Sequence, residues 1–271
     1  MTDQITDPKP IPTNPLLARA RIPGETFTLP SQGLFYHDGE LDESVKNGEV
    51  YVSPMVTLDE IVMKSPDKLY SGEAFKDVFS RCIPQIKKPL KLLSKDIDYL
   101  LICLRKVSMG DFLEITYTHD CSEEAKNHTY KVSITPFIRE AKRIDPTTLA
   151  KIYTVQLDNG QNVLLMPPRF DSVLKLYQKM GEDETEENVA QIQSEIRETL
   201  ADMIQKVDDV SDKQFILEWL DAIKIGYMHE ITKAIEKISD WGPTQTTKLI
   251  CKDCGEEIEI STPLNPISFF T

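Results

Sequence analysis

Positive charge is what this chain has least of relative to need. Its 31 Lys and Arg residues face 44 Asp and Glu, leaving a formal net charge of −13 over 271 residues. That deficit argues against broad, sequence-independent binding to DNA or RNA, which needs a basic face to neutralise phosphates. It argues equally against docking on anionic lipid. No segment approaches the length and apolarity of a membrane span. The opening "MTDQITDPKPIPTNPLLARARIPG" lacks the charged-then-apolar layout of a signal peptide. Catalytic signatures are missing as well: there is no phosphate-cradling Gly loop, Gly-x-Ser-x-Gly elbow, His-Glu-x-x-His pair or dinucleotide fingerprint. Asp96 and Asp98 face different ways on a helix and make no acid/base pair. The sequence therefore predicts a protein that is not an enzyme, with no nucleic-acid or membrane partner.

What is present is an ordinary globular mix, 40% hydrophobic and 28% charged, enough to bury a real core. With no export signal the expected compartment is cytosolic, where five cysteines read as thiols or metal ligands rather than a disulfide framework. The expected fold class is α+β: a mixed N-terminal region, a β-hairpin, zinc-ribbon-like centre and an antiparallel helical pair. Residues 1–28 read as an extended arm, 29–110 as a mixed, mostly helical region, and 111–166 as a β-hairpin region with a first knuckle. Residues 167–241 read as helical, and 242–271 as a second knuckle strand with an apolar tail.

Local signals support this division. Thr57 and Glu60 in "TLDE" have capping-box spacing, "SGEAFKDVFSRCI" reads as a short helix, and Ser94 is placed to cap a buried helix that Gly110 ends. "DFLEITYTHDC" and "HTYKVSI" predict one hairpin, while "IYTVQL" and "NVLLM" around Asn159-Gly160 predict another. Apolar residues recur at spacings of three and four from Val189 to Val207 and from Ile216 to Ile238. That periodicity predicts two amphipathic helices joined near "DDVSD", packing on the protein or serving as a partner-binding coiled coil.

The Cys-x-x-Cys of "KLICKDCGEEIEI" lies between two β-prone runs, with Gly255 following, as a metal knuckle requires. A redox dithiol would instead sit at a helix N-terminus. Structural zinc needs four ligands. Cys82 and Cys103 lie in apolar helical runs and read as buried hydrophobes. The favoured set is Cys121, His128, Cys251 and Cys254, with His119 as the competing ligand because strand alternation puts it on the face of Cys121. The ending "STPLNPISFFT" carries prolines that bar helix and central strand. Its Leu264, Ile267, Phe269 and Phe270 form an apolar strip that either folds onto the protein's own core or docks on a partner.

Several long phrases together resemble a known family. "LPSQGLFYHDGEL", "VYVSPMVTLDEIVMKSPDKLYSG", "VFSRCIPQIKKP", "DIDYLLICLRKVSMG", "EITYTHDC", "IDPT" and "CKDCG…PLNPISFF" run in the order seen in baseplate hub assembly proteins of T-even-type contractile-tailed bacteriophages. The resemblance runs from Leu29 to Phe270 and is weakest between Pro167 and Trp241. It implies a non-enzymatic viral protein that helps build the baseplate hub through contacts with other tail proteins, located in the host cytoplasm during assembly or in the virion baseplate. It supplies no catalytic positions, and the zinc ligands rest on spacing alone. A zinc-ribbon regulator of transcription or nucleic-acid processing is the rival reading.

Overall fold

The computed structural model describes residues 23–121, 127–147, 153–180, 186–244 and 246–261. Strand β1 (Glu25–Thr28) pairs antiparallel with β2 (Glu49–Val52), Phe27 opposite Val50. The end of the expected arm therefore lies in a ladder. Phe27, Val50 and Val52 are buried while their strand neighbours face outward, as the period of two dictates.

Three short helices follow: α1 (Thr57–Met63), α2 (Pro66–Ser71) and α3 (Glu73–Cys82). The start of α1 departs from the Thr57–Glu60 expectation by one residue. Val56 is the cap, and the Asp59 carboxylate accepts its backbone N–H at 2.8 Å. Asp59 is the buried acid of the pair and also pairs with Arg81 of α3, so it faces the cap while Glu60 turns outward to Lys64. α3 buries Phe75, Val78, Phe79 and Cys82, a stripe at helical spacing.

A 3₁₀ turn (Pro89–Lys91) leads into α4 (Ser94–Met109), the central helix, buried on nearly every side and ended by Gly110 at φ 88°. Ser94 is the first helical residue rather than the cap. Leu93 holds the cap position, and the Ser94 hydroxyl is drawn to the Pro168 carbonyl at 3.2 Å.

Both predicted hairpins form. β3 (Phe112–Tyr117) pairs with β4 (His128–Ser133), and a short helix α5 (Thr135–Arg139) follows. β5 (Thr154–Gln156) pairs with β6 (Asn162–Leu165) around Gly160, whose φ of 88° the turn requires. The helical half holds α6 (Phe170–Met180), α7 (Glu186–Met203), α8 (Lys213–Ala222) and α9 (Ile225–Ile238).

Its layout differs from the expected pair joined near residues 208–212. Ile204–Val207 leave the helical stripe as β7, adding a third strand beside β6. The β-branched Ile204 and Val207 are buried there, as suits a strand. The second stripe breaks at Ile223 and Lys224, whose backbones are extended, so α8 and α9 are separate helices. α7 instead packs most closely against α6. The fold is α+β, built from helices and small antiparallel sheets.

Two cores hold these elements. The first gathers β1–β4 with α1–α5, and the second gathers β5–β7 with α7–α9. Tyr36 packs against both. Its hydroxyl donates to the buried Asp96 carboxylate at 2.7 Å and accepts the Leu93 N–H at 3.0 Å. Arg169, just before α6, reaches back to the buried Glu40 and to the carbonyls of Phe35 and Lys91. No helix among the described residues is long and apolar enough to cross a membrane.

Candidate metal centre

Beyond the first core, β8 (Thr246–Ile250) and β9 (Glu257–Ser261) form a hairpin, Ile250 opposite Glu257. Its turn folds as a knuckle: the Cys251 carbonyl accepts the Gly255 N–H at 2.9 Å, and the Cys251 N–H donates to the Glu256 carbonyl at 2.8 Å. Gly255 has φ 77°, a backbone state that a side chain would strain. The knuckle lies on β4. Lys252 donates its ammonium to the Thr129 carbonyl at 2.6 Å and its N–H to the Tyr130 hydroxyl at 3.3 Å.

This docking brings His119, Cys121, Cys251 and Cys254 together, with their ligand atoms all within 4.8 Å of one another. Zn–S bonds of about 2.3 Å in a tetrahedron set S···S at about 3.8 Å, so closure needs a contraction of about 1 Å or less. The same geometry sets S···N near about 3.6 Å, and Cys254 Sγ lies 3.5 Å from His119 Nδ1. The four residues form a group able to hold a metal ion, and all four corners come from the chain.

His128, the favoured fourth ligand from sequence, is not in this group. It is the last rung of the hairpin ladder, opposite Tyr117, and its Nε2 meets Asp253 Oδ1 at 2.8 Å. A hairpin mouth would bring positions 121 and 128 together only across a tight turn, and the whole of 118–127 separates these strand ends. His119 and Cys121 make the first knuckle within one strand exit instead, with the Cys121 N–H donating to the His119 carbonyl at 2.8 Å. The i, i+2 alternation was the signal for His119. Lys252, Asp253 and Tyr130, which seat the knuckle, carried no motif.

The thiols are electrostatically uneven. The Cys254 and Asp253 amides hold the Cys251 thiol down at about 6, while burial and the neighbouring thiols push Cys121 up to about 11. Three sulfurs so close cannot ionise together unless a cation joins them. Cys82 and Cys103 lie elsewhere, in the first core, and burial raises both thiols. Such thiols are inert packing groups. Leu264, Ile267, Phe269 and Phe270 lie outside the described residues.

The molecule is thus an acidic α+β protein carrying a Cys3His group of metal-binding geometry, set at the meeting of two hairpins. Residues 45–271 match the model of the T4 bacteriophage base plate protein family, so the chain belongs to that family. It is a protein of the phage baseplate, a structural class. No curated protein and no solved structure matches the chain.

Proposed function

We propose that this protein takes part in assembling the baseplate hub, through contacts with other tail proteins and without catalysis. The family match carries the reading, because it runs through both knuckles to the final residue. In this account zinc fills the Cys3His group as a structural staple. Three soft thiolates and one imidazole suit that ion, and four protein ligands leave no open position for catalysis. Purified chain should carry close to one zinc, measured by elemental analysis. Cys251→Ser with Cys254→Ser should lose it, His119→Ala should weaken it severely, and His128→Ala should keep it. Metal-free protein prepared without chelator would remove the staple from the account.

The apolar strip of Leu264, Ile267, Phe269 and Phe270 is the partner-binding element in this proposal. Its aromatic residues are of the kind that supply the anchors of small interfaces. Deleting residues 264–271 should abolish co-purification with co-expressed hub proteins while shifting the melting temperature by less than about 2 °C. A truncated chain that melts many degrees lower would mark the strip as part of the protein's own core instead.

A further inference from the structure

We infer that the metal is a latch on the β8–β9 hairpin: emptying the site frees residues 246–261 from the body while both main cores stay folded. The inference rests on the metal reading above and adds where the stability goes.

The hairpin has five residues in each strand, and an isolated two-stranded hairpin is marginal in water. Its own buried cluster is Cys251, Ile258 and Ile260, and one of those three is itself a ligand. Leu249, half-buried, touches the first core, and Ile250 is 68% exposed. Of the polar ties to the body, those from the Lys252 ammonium to Thr129 and from Asp253 to His128 lie at the surface, and the half-buried one, from the Lys252 N–H to the Tyr130 hydroxyl, is long at 3.3 Å. Ties of that kind hold weakly against water.

The four metal ligands divide evenly across the junction. His119 and Cys121 come from the body hairpin, Cys251 and Cys254 from the knuckle, and Cys254 meets a histidine 135 residues away. An ion there adds coordination bonds to those weak contacts, and the hairpin then leaves the body only when both bonds on one side of the junction break. The main cores draw little on the hairpin: among the described residues of 246–261, Leu249 alone packs against the first core and none packs in the second. Segments with so few buried contacts open on their own, below the global unfolding free energy. Just upstream, Lys142 and Gly242 exchange both backbone hydrogen bonds, at 3.0 and 2.8 Å, and so anchor the body's side of the junction. The tail follows β9 directly, so the latch fixes the point from which it departs.

The test uses the full chain with its zinc content measured first. Amide hydrogen exchange is followed before chelation, after removal of zinc, and after zinc is restored. Amides of 246–250 and 257–261 should lose protection on chelation and regain it with zinc, while those of α4 and β6 keep theirs. Both tryptophans, Trp219 and Trp241, pack in the second core, so the fluorescence melt should move little on chelation. Zinc-loaded protein whose hairpin stays protected after chelation overturns the latch. So does zinc-loaded protein in which α4 and β6 lose protection together with the hairpin. A chain holding no zinc overturns the metal reading and the latch with it, an outcome distinct from the other two.

Discussion

Arg169→Ala should destabilise the protein by about 3–5 kcal/mol, the cost of stranding a buried charge. The Arg169 guanidinium bonds Glu40 at 3.1 and 2.9 Å, the Lys91 carbonyl at 2.8 Å and the Phe35 carbonyl at 2.8 Å. Both charged side chains are nearly closed to solvent, 11% and 8% exposed. Alanine leaves the Glu40 carboxylate without its partner and frees two carbonyls that had been satisfied. Lysine would not repair the site, because one ammonium cannot reach acceptors that lie in three directions. The measurement is denaturant unfolding of the wild type, Arg169→Ala, Glu40→Gln and the double variant. The double variant should be more stable than the sum of the single losses predicts, since a neutral amide in place of the carboxylate needs no counter-charge. A loss below about 1 kcal/mol for Arg169→Ala would mean that solvent reaches the pair and that it is an ordinary surface bridge.

The second large effect is a pH dependence centred on Asp96. Burial raises its carboxyl from 3.8 to about 6, against the opposing pull of hydrogen bonds from Ser31 and Tyr36. The folded protein then binds more protons than the unfolded chain between about pH 4 and 6. Stability contributed by this group therefore falls as pH rises through that window and is lowest above it. A rise of that size corresponds to about 3 kcal/mol, most of it recovered on going from about pH 7 to 4. Other carboxylates push the opposite way over the same range, so the comparison must be with Asp96→Asn, which stays neutral throughout. The wild type should gain about 2–3 kcal/mol on the variant between about pH 7 and 4. A difference independent of pH would mean that Asp96 stays ionised, or that water reaches it.

How much of this was legible in the sequence depended on the range of the physics involved. The hairpins around Asn159-Gly160 and around residues 118–127 could be read because alternation and turn chemistry are local. So could α4, whose long apolar run ends at a glycine. The strand β7 could not, since Ile204–Val207 continue a helical stripe and only pairing with β6, far upstream, makes them a strand. The Glu40–Arg169 pair was silent for the same reason: charged residues 129 positions apart bear no mark of each other. At the metal centre three of the four grouped residues followed from spacing. The choice between His119 and His128 turned on how far the β3–β4 ladder extends, which alternation alone does not fix.

The reach of Arg169 also has a consequence in time. Chains are made from the N-terminus at roughly 5–20 residues per second, so Arg169 appears about 6–26 seconds after Glu40. Phe170, which lies edge-on to Phe75 at 4.7 Å, arrives with it. During that interval the first half of the protein holds a carboxylate with no cation to meet it and an aromatic surface with no cover. The N-terminal core, which takes Phe170 among its apolar residues, is not complete until the beginning of α6 has been made. Nascent chains halted before residue 169 should therefore be more open to proteases than chains halted after α6.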